Sequence, residues 1–494
     1  MEPLTFGEEL FALPIGYLTI VNMQENINLL LLHSAAHYTS FGPSSLYSVN
    51  QTNLVFLSNT AMSKSQTVAV KASILHCVAN PFEKASDSMV YLPEGALVIE
   101  NGIITQSGSV DTVTIPESAQ VHDFGRQLVV PGFVDTHVHY PQVDIVASYG
   151  SQLLDWLERY TFPAEGRFHD KAHASETARF FLDELLSNGT TTALVFGTVH
   201  PESVDAFFSE ALARKLRMIC GKVMMDRHAP DYLLDTPQSA FEQSQQLINK
   251  WHGLERLGYA VTPRFAPTSS AEQLTMAGRL LANNPGVYLH THMAENADEC
   301  NWVASLFPGY EDYLAVYEHF ELVQKRSVFA HSIHLSDNAW KRLSAADAAV
   351  AHCPCSNLFI GSGLFDLRSA RKYNTKIGLG TDIGGGDSFS MLRTSNEAYK
   401  VQQLQRHTLT PEEAFYLVTL GGARALDLDT HIGNLDVGKE ADFLVIDEQA
   451  TPILARRSAQ QNTIRDRLFS LLMLGDDRCI EQTWIMGQRW QPSA

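Results

Sequence analysis

Lysine and arginine are absent from the first 63 residues of this 494-residue chain, the first being Lys64. A secretory signal needs a positively charged stretch ahead of its apolar core, so this segment makes a poor one. Nowhere does an apolar run approach the roughly 18 to 20 residues a membrane span requires; residues 10–21 and 27–32 are short and interrupted. Basic charge is scarce throughout, with 36 Lys and Arg against 55 Asp and Glu and a formal net charge of −19. Such a surface repels polyanions, which excludes nucleic acid and anionic membrane as partners and leaves a small neutral substrate compatible. Only six cysteines are present, scattered except for Cys353 and Cys355, so there is no disulfide framework. They read as thiols in a reducing cytosol, which makes the expected location cytoplasmic. His352-Cys353-Pro354-Cys355 lacks the second half that a cysteine metal site needs. Short-period repeats and low-complexity tracts are missing too.

What is present is a globular composition, 45% hydrophobic and 18% charged, in a chain long enough for one large catalytic domain plus something smaller. Residues 67–78, 96–104 and 119–130 read as short strands, with Asn101-Gly102 as a hairpin signature. Residues 437–446 and 479–486 read as strands at the other end. The two ends are therefore expected to make one small β-sandwich domain, over 62–130 and 432–494. Residues 1–61 are expected to be an extension outside the functional protein, with Met62 as its start. Between them, apolar runs ending in polar residues recur at 127–139, 190–200, 217–226, 259–267, 287–295, 327–334, 348–355 and 376–382. Helical patterns such as 175–186 and 237–257 separate them. Alternating strands and helices argue for a parallel sheet, and eight such units predict an α/β fold, a (β/α)8 TIM-like barrel over 131–431.

The chemistry-bearing residues sit where those strands end. In Pro131-Gly132-Phe133-Val134-Asp135-Thr136-His137-Val138-His139, residues two apart face the same side, so His137 and His139 project together about 6 to 7 Å apart. Neutral imidazoles suit a borderline metal such as zinc, although the pair alone also reads as two satisfied polar side chains. Residues 287–295 add His292 and Glu295, 327–331 end in His331, and Gly380-Thr381-Asp382 closes the last strand with an acid. Barrel active sites gather at these strand ends. Arg264 follows an apolar strand, where an unpaired charge is costly. It requires an anionic or carbonyl partner, and either a substrate or an ordinary buried salt bridge meets that need.

Through Pro131 to Gln142, Pro263-Arg264-Phe265-Ala266-Pro267-Thr268, His292 to Glu295 and Gly380 to Asp382, the chain resembles the amidohydrolase superfamily and, within it, the guanine deaminases. The similarity runs from about Thr67 to the C-terminus. It implies one zinc per subunit, held by His137, His139, His292 and Asp382 with a position left for water. It also implies that His331 orients the hydroxide, that Glu295 shuttles protons and that Asp382 accepts the water's proton. Gln142 and Arg264 would recognise guanine, with Phe265 packed near the base, in a hydrolysis giving xanthine and ammonia. A homodimer is implied as well. Lys222 is the candidate for the carboxylated lysine of two-metal relatives, but the resemblance is to the one-metal branch and Lys222 is assigned a structural or surface role.

Rival readings are an amidohydrolase acting on a triazine, cytosine or adenosine-type ring, a small zinc deaminase, and an inactive scaffold. The second requires Pro-Cys-x-x-Cys, and Ser356, Asn357 and Leu358 follow Cys355 here. The third typically lacks metal ligands, and none is missing.

Overall fold

Eight parallel strands, alternating with helices, run through the middle of the chain in sequential spatial order. They are β1 (Phe133–His139), β2 (Thr190–Phe196), β3 (Arg217–Gly221, resumed as Val223–Met224), β4 (Gly258–Pro263), β5 (Tyr288–Met293), β6 (Ser327–His331), β7 (Ala349–His352) and β8 (Lys376–Leu379). The computed structural model describes residues 67–492 apart from Ala85 and Ser151; the expectation for residues 1–61 lies outside them. Every predicted strand of the middle region is present. Nearly every residue of these strands is buried, as expected where helices cover one face and a packed interior the other. Helices such as Lys171–Ser187, Pro201–Ala213, Pro237–Trp251 and Ala271–Asn283 form the outer layer.

The ring closes between its first and last strands. Asp382 N–H donates to His137 O and His139 N–H to Ile383 O, both at 2.9 Å, while Thr136 Oγ1 donates to Leu379 O at 2.9 Å. Gly132 stands at the threshold of β1 because a Cβ there would lie 2.1 Å from Thr191 Oγ1; only glycine lets the two chains approach.

Both chain ends build one mixed sheet of seven strands. Gln120–Pro131 lies in its middle, parallel to Thr67–Cys77 on one side and antiparallel to Phe443–Ile446 on the other. Asn101 and Gly102 adopt φ of 54° and 83°, the conformation a tight hairpin turn demands, and join Met89–Glu100 to Ile103–Ser109. The C-terminal stretch also carries helices Pro452–Ser458 and Ile464–Leu474, which the strand pattern had not disclosed. No helix among the described residues is long and apolar enough to cross a membrane. All six cysteines are free. Cys355 opens the helix Pro354–Phe359, and burial pushes its thiol up to about 12.

Candidate active site

The carboxyl ends of β1, β5, β6 and β8 deliver five donors to one place. His137 Nε2 lies 3.1 Å and His139 Nε2 3.3 Å from Asp382 Oδ1. His139 Nε2 is 3.2 Å from His292 Nε2, and His331 Nε2 is 3.6 Å from Asp382 Oδ2. One donor atom each from His137, His292, His331 and Asp382 falls within a mutual 4.8 Å. The backbone bends sharply to achieve this: Ala294, His331, Ser332 and Asp382 have φ of 51°, 68°, 52° and 52°. Non-glycine residues in that region cost on the order of 1–3 kcal/mol each and gather at functional sites.

Neighbouring groups fix which nitrogen of each ring faces inward. His292 Nδ1–H donates to Arg264 O at 2.8 Å, and His331 Nδ1–H donates to Asn357 Oδ1 at 2.8 Å. His137 Nδ1 meets His290 Nε2 at 2.7 Å. These contacts leave Nε2 of each ring with its lone pair aimed at the cluster, the arrangement outer partners impose on metal-binding histidines. Burial lowers the basicity of His137, His139, His290 and His292, taking His139 to about 3 and His292 well below its ordinary value. Burial works to raise Asp382, but His137, His139 and His331 outweigh it and hold the carboxyl well below the usual range.

Lone pairs converging on one volume repel unless a cation lies among them. His137 Nε2 and His331 Nε2 are buried without a hydrogen-bond partner, a state native interiors rarely tolerate. The donor set fits a divalent metal, and imidazole with carboxylate suits zinc among others.

The cluster forms the floor of a cavity whose walls include Gln142, Leu153, Trp156, Leu157, Arg264, Phe265, Glu295 and Ile360. Glu295, 2% exposed, takes a hydrogen bond from Ser362 Oγ at 2.9 Å on Oε1 and places Oε2 3.4 Å from His331 Nε2. Burial and the nearby charge of Asp382 push it up to about 8. On the opposite wall, Arg264 Nη1 donates to both carboxylate oxygens of buried Glu165, at 2.9 and 2.8 Å. Gln142 Nε2 donates to the same carboxylate at 3.0 Å.

A family model described as "Amidohydrolase family" matches residues 128–489. Guanine deaminase of Escherichia coli strain K12 is 51% identical over 425 residues, spanning 85% of this chain and 97% of that protein. The chain belongs to the amidohydrolase family, among its guanine deaminases. The solved E. coli guanine deaminase superposes with a TM-score of 0.85 at 49% identity, over 86% of this chain and all of that one. A guanine deaminase from C. acetobutylicum with guanine bound in its active site superposes at 0.78 and 26% identity, over 86% of this chain and all of that chain.

All nine residues singled out from the sequence of this amidohydrolase meet at the cavity or its floor. Three that were not singled out as site residues hold these from behind. Glu165 sits in a short helical stretch, and its only trace in the sequence was the requirement that Arg264 have a partner. His290 shares the alternation of His292, the same signal that picked out His137 and His139. Asn357 carries no local signal. Lys222 is fully buried in an ion pair with Asp235 at 2.5 Å, so its role is structural and not one of the surface. His352-Cys353-Pro354-Cys355 supplies no donor to the metal-sized cluster among the described residues.

Proposed function

We propose that this chain is a zinc-dependent guanine deaminase that converts guanine and water to xanthine and ammonia. The observation that carries this reading is the juxtaposition, across one small cavity, of a metal-sized donor cluster with the buried Glu295 carboxyl and an Arg264–Gln142 pair. The 51% identity to an E. coli guanine deaminase over nearly that protein's whole length supports it. His137, His139, His292 and Asp382 would hold the metal, and zinc so held supplies Lewis acidity that brings the pKa of a water to about 7.

The side chains divide the remaining work. Gln142 and Arg264 hold the O6 and N1–H edge of guanine, with Phe265 along the base, so that C2 faces the floor of the cavity. Asp382 accepts a proton as water adds to C2, and His331, steadied by Asn357, orients that water. Glu295 carries a proton at neutral pH because its carboxyl is raised to about 8. It gives that proton to the ring nitrogen beside C2; Asp382 then passes its proton to the departing amine, and Glu295 recovers one from the C2 hydroxyl as the C2 carbonyl forms and ammonia leaves. The cytoplasm and a homodimeric state complete the proposal; the acidic composition, with a formal net charge of −19, suits a small neutral substrate and no nucleic acid.

Steady-state ammonia release from guanine, adenine, cytosine and a triazine, with zinc content measured on the same sample, tests the reading. Guanine is expected to lead the panel by orders of magnitude in kcat/KM. Metal-loaded protein that releases no ammonia from guanine, or prefers another ring, would refute it; sedimentation velocity checks the dimer.

A further inference from the structure

Glu165 does not line the cavity, yet both groups assigned to the purine edge rest on it. It ends the short helix Phe162–Glu165 and is fully buried. Its Oε1 accepts from Gln142 Nε2 at 3.0 Å and from Arg264 Nη1 at 2.9 Å, and Oε2 accepts from the same Nη1 at 2.8 Å. A carboxylate facing an amide admits only the NH2 side. The Gln142 amide is thereby turned so that its carbonyl, approached by Gly384 N–H at 3.4 Å, is the end left for a ligand. Arg264 has only donors to offer, and Glu165 spends one of its nitrogens while balancing its charge.

We infer that Glu165 is a positioning residue that sets the choice between 6-oxo and 6-amino purines. By fixing Gln142 as acceptor and Arg264 as donor, it presents a pattern that matches the N1–H donor and O6 acceptor of guanine. 2,6-Diaminopurine offers the same C2 amine for hydrolysis, but the opposite edge, with N1 an acceptor and the 6-amino group a donor. Like groups would then face each other in a buried site, and each unpaired group costs a factor of roughly 10 to 100. This inference rests on the deaminase reading above and adds to it the origin of the selectivity.

The test is the ratio of kcat/KM for guanine to that for 2,6-diaminopurine, both followed by ammonia release, in wild type, Glu165→Gln and Glu165→Asp. Glu165→Gln lets the facing amides turn over, and Glu165→Asp keeps the charge beside Arg264 while shortening the reach to Gln142. Both are expected to narrow the ratio by roughly tenfold or more, with zinc content unchanged. A merely structural role lowers both rates together, so an unchanged ratio in folded variants overturns the inference. Should Glu165→Gln fail to fold by circular dichroism, the Glu165→Asp ratio decides alone. Wild type that leaves guanine untouched is a separate result, which sinks the deaminase reading and this inference with it.

Discussion

Glu295 and Glu299 stand four residues apart, the first ahead of the helix Ala297–Leu306 and the second in its first turn, and each is a buried carboxyl raised by its surroundings. Replacing Glu295 with Gln keeps the size and the Ser362 contact but removes the transferable proton. That variant is expected to retain zinc while kcat falls by about 10² to 10⁴, the usual worth of a positioned acid or base; kcat within tenfold of wild type would remove Glu295 from proton transfer. Glu299 has a different task. Its Oε2 accepts from Glu295 N–H and Asn296 N–H at 2.8 and 3.1 Å, and Tyr313 donates to its Oε1 at 2.8 Å. Burial, reinforced by Glu295, pushes it up to about 7. A carboxyl raised on folding favours the folded state while protonated. That contribution is full below the ordinary value of 4.5 and is lost as pH rises through about 7. Glu299→Gln can make the same three contacts without titrating, so its Tm should fall less than that of wild type between pH 5 and 8. Parallel Tm profiles would show that Glu299 does not set this slope.

At the scale of elements, the barrel and the composite sheet are locked by buried charge. Arg256, just before β4, donates to Glu440 at 3.0 Å and also pairs with Asp442, while Arg217 at the start of β3 pairs with Glu440. Both carboxylates immediately precede the strand Phe443–Ile446. Arg256 and Asp442 have side chains only 8% and 2% exposed, so removing one partner strands charge in the interior. Arg256→Met is expected to cost about 3–5 kcal/mol in urea unfolding, with little change in kcat for the protein that remains folded; a loss under 1 kcal/mol would mean solvent reaches the network.

None of these pairs was legible in the sequence, whereas the strands were. An apolar run ending in histidine or aspartate declares both a buried strand and its functional end, because burial and chemistry are written in adjacent residues. Arg256 and Asp442 stand 186 residues apart, and Glu165 and Arg264 stand 99 apart. Periodicity is blind to such distances. The sequence could state that Arg264 needed a partner, but not which of 55 acids it was. The C-terminal helices were hidden for a milder reason: Ile464–Leu474 packs on Met391–Leu404 and Pro411–Leu417, and that contact selects helix in a region whose flanking runs read as strand.

For the molecule as a whole, the proposed metal ligands lie at the seam where the barrel closes. His137 and His139 end β1, Asp382 follows β8, and the same residues exchange backbone hydrogen bonds across the join. A metal bound there ties the first barrel strand to the last and to β5 opposite, so binding and closure are one equilibrium. Ligand binding to the folded state alone adds stability of about 4 kcal/mol when free metal stands at a thousand times Kd. Chelation is accordingly expected to abolish turnover, lower Tm by several degrees and be reversed by zinc. The loss should also be local. Amide exchange in the stripped protein is expected to quicken at residues 133–139 and 376–383, while Thr67–Cys77 and Gln120–Pro131 in the composite sheet keep their protection. Exchange that quickens evenly across both sheets would show that the metal stabilises the fold diffusely, and the closure argument would fail even if activity were lost.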